Sequence, residues 1–164
     1  MRERKWICDA SPIILLAKVS RADLLLRCSD ELLVPKSVEQ EVVAGPEDSP
    51  ARLWLQENRS RYMQRVISIA PEVASWELGD GESAALSWAL RNREWTVILD
   101  DLAGRRCGQS LSVSLTGTLG LLLLAKEEGH LANVEPAVEA LTDAGLQASD
   151  ALLEAVLRQA GELD

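Results

Sequence analysis

The chain has 164 residues, 47% of them apolar, with 26 acidic side chains against 17 basic ones and a net charge of −9. That length and apolar content suit a single domain, 1–164, with a sizeable core, and exclude a disordered chain. The acidity excludes a protein whose main business is coating nucleic acid, because phosphate binding needs a basic surface; it leaves room for an enzyme that gathers carboxylates around divalent cations.

In chain order, KWIC (5–8) reads as a strand. SPIILLAKV follows as a helix, with Ser11 as its N-cap and Pro12 at the first helical position. RADLLLRC (21–28) reads as a second helix and ELLVP (31–35) as a second strand. SVEQEVVA (37–44) opens with a Ser-x-x-Gln capping box and puts Val38 and Val42 on one face. A turn leads to a helix from about Pro50, and the alternation of VISIA (66–70) predicts a strand on a sheet edge. GESAALSWALRN is a helix, and WTVIL (95–99) is a continuous apolar run, as a strand covered on both faces should be. DLAGRRCG is a short helix, SVSL (112–115) a strand and TGTLGLLLLAKEEG a helix. NVEPAVEALTDAG ends a helix at Gly145, and SDALLEAVLRQAGE closes the chain with Ser149 as N-cap and Gly161 past the end, which puts the C-terminal helices at about 134–160. Strands alternating with helices predict a three-layer α/β/α fold with a mainly parallel central sheet.

The start, MRERKWICDASPIILLAKV, is basic and then apolar, like a signal peptide. Asp9 and Pro12 interrupt it and no small-residue cleavage site follows, so it reads as structure. The apolar run LTGTLGLLLLA (115–125) is too short to span a bilayer, and no membrane partner is expected. Cys8, Cys28 and Cys107 form no CxxC pair, which predicts buried thiols and a cytoplasmic setting. One histidine, His130, rules out a multi-histidine zinc site within one chain, so a metal site would be mostly oxygen and suit Mg²⁺ or Mn²⁺.

The acids fall where such a site would form. In open α/β sheets, ligands bind outside the carboxyl ends of the strands. Asp9 ends the first strand and Asp100 ends WTVIL, so two central parallel strands would bring both to one edge. The competing role is helix capping, which Asp fills well. Glu41 lies three residues from Val38 and borders the buried stripe, whereas Glu39 points elsewhere. Glu82 stands in the first turn of its helix, in line with Ala85, Leu86 and Ala89; a favourable helix dipole is its competing role, and that role fits Asp80 better.

These residues carry a resemblance. DASPIILLAK, LGDGESAAL, DDLAGRR and TGTLGLLLLAK occur in this order across nearly the whole chain. The series resembles PIN domain nucleases, and more specifically the VapC-like, PIN-like toxin group. The resemblance implies an α/β/α domain whose acids bind one or two Mg²⁺ or Mn²⁺ ions and hydrolyse RNA phosphodiesters. It implies Asp9, Glu82 and Asp100 as core ligands, with Asp101 the alternative or additional one, and Glu41 as a further ligand or acid–base partner. Ser11 would orient a ligand or metal-bound water. Beside RNA, the partners it suggests are an antitoxin protein and a second copy of the chain. Arg105 and Arg106 could meet a phosphate or merely face solvent. The TGT at Thr116–Thr118 could offer backbone N–H groups or simply cap a helix. Trp54, Trp76, Trp88 and Trp95 read as core or interface, and His130 as a surface residue. A catalytically silent, partner-binding fold of the same family is the alternative reading, and a phosphotransfer domain a third, which lacks an acceptor Asp in mid-chain.

Overall fold

A computed structural model describes residues 2–164. The elements run β1 (Lys5–Cys8), α1 (Ala10–Lys18), α2 (Leu24–Arg27), β2 (Glu31–Pro35), α3 (Lys36–Val43) and α4 (Pro50–Glu57). A 3-10 turn at Arg59–Arg61 precedes β3 (Met63–Arg65), α5 (Pro71–Ala74), α6 (Asp80–Arg91), β4 (Trp95–Ile98) and α7 (Leu102–Ser110). β5 (Ser114–Thr116), α8 (Thr118–Glu127), α9 (Glu135–Asp143) and α10 (Asp150–Gln159) complete the order. The five strands form one all-parallel sheet in the order β3-β2-β1-β4-β5. This is the expected three-layer α/β/α fold.

Alternate residues of the central strands feed two cores. Trp6, Cys8, Leu32, Val34 and Ile98 pack with α1 to α4 and α8 to α10. Ile7, Leu33, Val97 and Leu99 pack with α5, α6 and α7 on the other face. A sheet buried on both faces needs continuous apolar strands, which is how KWIC, ELLVP and WTVIL read. Val134, Val138, Leu141 and Val156 tie α9 and α10 into the first core. All three cysteines are buried and free. Trp54 and Trp95 are buried, whereas Trp76 is 38% exposed. Among the described residues no helix is long and apolar enough to cross a membrane.

Three local expectations fail, each for a physical reason. The strand expected at 66–70 lies earlier, at Met63–Arg65, and Val66 is 88% exposed. Its ladder partner, β2, ends at the pair Pro35–Arg65, where the chain turns into α3, so alternation beyond Arg65 has nothing to pair with. The capping box at Ser37 does not form, because α3 starts one residue sooner with Pro35 in the cap position; the Ser37 hydroxyl donates instead to the Asp80 carbonyl, at 3.5 Å. Ser11 is not the N-cap of α1. That helix begins at Ala10, with Asp9 in the cap position, so Ser11 sits in its first turn, exposed.

Candidate functional site

The strand order reverses at β1, between β2 and β4, which is where open parallel sheets bind their ligands. Cys8 pairs with Ile98, and the Asp9 N–H continues the ladder by donating to the Ile98 carbonyl at 3.1 Å. The Leu99 N–H donates to the Thr116 carbonyl at 2.9 Å, so Asp100 is the first β4-side residue free of the sheet. Asp9 and Asp100 therefore leave neighbouring parallel strands at the same edge. α6 delivers Glu82 from its first turn, with Gly81 buried against Asp9 and Val38.

Each acid has a distinct environment. Asp9 is 5% exposed, stands in the N-cap position of α1 and accepts no side-chain capping bond there. Burial, opposed by the Ala10 N–H and reinforced by the charges of Glu41, Asp100 and Asp101, raises its pKa from 3.8 to about 7. Glu82 is likewise raised from 4.5 to about 7, first by burial and then by Asp9 and Asp101. Its Oε1 is buried without a hydrogen-bond partner. Asp100 is the anchored member: its Oδ1 accepts from the Thr118 N–H at 2.8 Å and its Oδ2 from the Thr118 hydroxyl at 2.5 Å. Asp101 is exposed and caps α7, accepting from the Gly104 N–H at 2.9 Å.

Glu41 is exposed on α3, on the rim of a groove it shares with Ile14, Lys18 and Val42, yet near enough for its charge to act on Asp9. Glu39, expected to point away, is the less exposed of the two: it accepts a hydrogen bond from the Tyr62 hydroxyl at 3.0 Å and faces Arg59 and Lys36. Arg105 folds back so that its Nη1 donates to the Leu99 carbonyl at 2.8 Å, beside Gly117, while Arg106 faces solvent. Thr116 ends β5 half-buried, and its hydroxyl packs against Gly120. His130 is half-buried.

Two kinds of site residue are hidden in the sequence. Thr118 reads there as a helix cap or as part of a segment offering backbone N–H groups to a phosphate, whereas it is fully buried and binds Asp100 with both of its donors. The second kind is glycine. A Cβ on Gly81 would lie 3.3 Å from Asp9 Oδ1, one on Gly104 2.9 Å from Glu82 Oε1, and one on Gly117 2.9 Å from Asp100 Oδ1. Three acids are thus each approached by a residue with no side chain. The signal for them is the set of glycines in LGDGE, DDLAG and TGT.

These groups suit a hard divalent cation: the ligating atoms are all carboxylate oxygens, and among the described residues Glu82 Oε1 is buried with no donor, only the Asp101 carboxyl lies beside Glu82, and Asp9 is buried without a counter-charge. The acids are not drawn into a ready-made cage, however. Among the described residues no group of three or more His, Cys, Asp or Glu side chains is placed to hold a metal; Asp100 accepts from Thr118 at both oxygens and Asp101 from Gly104 at one, which leaves each of these oxygens a further lone pair.

A family model described as a PIN domain matches residues 5–162. No curated protein matches the chain.

Proposed function

The chain belongs to the PIN domain family, in general nucleases that use divalent metal ions, and from that premise we propose that it is a Mg²⁺- or Mn²⁺-dependent endoribonuclease, with 1–164 acting as one unit. The observation that carries this reading is the pair of raised acids, Asp9 and Glu82, at the reversal point of the sheet. Strongly perturbed carboxylates grouped in a crevice mark functional sites.

In this reading Asp9, Glu82 and Asp100, with Asp101 beside them, hold one or two metal ions. A bound divalent ion lowers the pKa of a water and stabilises charge on the phosphodiester oxygens. Thr118 fixes the direction of Asp100 by donating to both its oxygens, so that carboxylate is oriented before substrate arrives. Asp9 and Glu82, pushed toward protonation by burial and by neighbouring carboxylates, gain most from an arriving positive charge. Glu41, exposed on the rim, has the access to solvent that an acid–base partner needs. Arg105, at the β4 end of the crevice, and Arg106, one residue further along α7, supply positive charge for a phosphate, and Ser11 and Thr116 line the approach.

The motifs DASPIILLAK, LGDGESAAL, DDLAGRR and TGTLGLLLLAK support a narrower role, the cytoplasmic toxin of a toxin–antitoxin pair, with an antitoxin protein and a second copy of the chain as partners. The test is incubation of the purified protein with structured RNAs and Mn²⁺, with and without EDTA. Internal cleavage that EDTA abolishes is the expected result. A second reading, a catalytically silent module that binds a partner protein, draws on the engagement of Asp100 and Asp101 by α8 and α7. It predicts intact RNA in every metal.

A further inference from the structure

The parallel register sets the carboxyl ends of four strands in one row. Ile7 pairs with Leu33 and Leu33 with Met63, so two residues on Asp9 stands level with Pro35 and Arg65, themselves a direct pair. Across that edge the chain presents Arg65 at the end of β3, Lys36 just past β2, Asp9 past β1 and Asp100 past β4. Two cations therefore lie to one side of the acids. Neighbouring strands are about 4.8 Å apart, which places Arg65 about 10 Å along the row from the β1 end.

These cations are available. Arg65 is exposed, and its one side-chain hydrogen bond among the described residues runs to the adjacent Gln64 carbonyl, at 3.3 Å. Lys36 is 44% exposed in its side chain and meets only Glu39, at 3.9 Å, whose other oxygen already serves Tyr62 and Arg59. Exposed pairs at that separation are weak and yield to a phosphate. In a chain of net charge −9, cations aligned with the acid crevice are what keep an anionic substrate from being repelled.

We propose that Lys36 and Arg65 bind backbone phosphates of a single-stranded nucleic acid laid across the carboxyl edge of the sheet, on the β2–β3 side of the cut. The inference rests on the nuclease reading for the position of the cut, and deepens it by giving the substrate a direction. A single line of cations suits one strand rather than two. Phosphate contacts of this kind position the chain without reading its bases.

The test measures fluorescence anisotropy of a labelled oligouridine and its deoxy counterpart over a range of salt, in EDTA, where binding is read without cleavage. Lys36→Glu combined with Arg65→Glu should weaken binding at least tenfold for both probes, and flatten the salt dependence by one to two ions, roughly 0.7 for each phosphate no longer neutralised. A control pair, Arg27→Glu combined with Arg158→Glu, the same total charge change on α2 and α10, should stay within about twofold of wild type. With Mn²⁺, the double variant should raise KM and leave kcat nearly unchanged. Equal affinity and equal salt slope in wild type and double variant overturn the inference, and if the wild type still cleaves, the nuclease reading stands. A wild type that binds through these residues but cuts nothing overturns the nuclease reading and leaves the phosphate row in place. No binding of either probe by the wild type overturns the row. Both substituted side chains are surface-exposed, and matching melting curves separate lost binding from lost folding.

Discussion

Asp9 is the residue on which the site turns. A carboxyl whose folded pKa is raised to about 7 favours the fold only while protonated. The unfolded chain gives up that proton near the ordinary value of 3.8, so this group's contribution is fully present below that pH and lost as pH rises to about 7. Asp9→Asn holds the neutral form at every pH. Urea unfolding in EDTA should show the variant and wild type equally stable near pH 4, and the variant more stable by up to a few kcal/mol at pH 8. A constant difference across that range would show that Asp9 is an ordinary helix-cap acid. Thr118 makes the complementary case, since its hydroxyl acts through Asp100. Thr118→Val removes one bond to a charged group, a loss of about 1.5–3 kcal/mol, and should lower cleavage at least tenfold with little change in KM. Thr118→Ser keeps the hydroxyl and should restore both stability and rate.

At the scale of elements, the site depends on how closely α3 and α6 approach. A Cβ on Gly81 would come within 2.8 Å of Val38 Cγ2 and 3.3 Å of Asp9 Oδ1, so Gly81→Ala must part the two helices or turn the carboxylate. Overpacking of this kind costs about 1–3 kcal/mol, and denaturant unfolding should show it alongside a fall in cleavage. A variant as stable and as active as wild type would mean that the helices have slack the structure does not show. This approach is hard to read from the sequence, because a glycine in a helix pattern signals lost propensity before it signals contact. The central strands are easier: KWIC, ELLVP and WTVIL are buried on both faces, and burial leaves a continuous apolar signature. Edge strand β3, MQR, has no such signature, and the better-alternating VISIA lies where no partner strand continues. Helix starts divide in the same way. Ser49 and Ser149 cap α4 and α10 with their own side chains, whereas α1 and α3 emerge directly from strands and begin before the serine that seemed to announce them.

For the whole molecule, the parallel order β3-β2-β1-β4-β5 turns acids far apart in sequence into neighbours. Asp9 and Asp100 are legible in the sequence as strand-end acids, and the parallel pairing of β1 with β4 is what brings them to one edge. What the sequence does not reveal is how the acids are held: Thr118 anchors Asp100, α7 occupies Asp101, and only Asp9 and Glu82 are left strained by burial. In the proposed function these carboxylates share a divalent cation. An ion that binds the folded state alone raises the melting temperature, by an amount set by its concentration relative to Kd. The direct measurement is the thermal melting of wild type and Asp9→Asn in EDTA and in increasing Mn²⁺. A shared ion gives a saturable rise for wild type and little or none for the variant, from a higher starting point at pH 8. Identical Mn²⁺ stabilisation of the two proteins, or none in either, would contradict it.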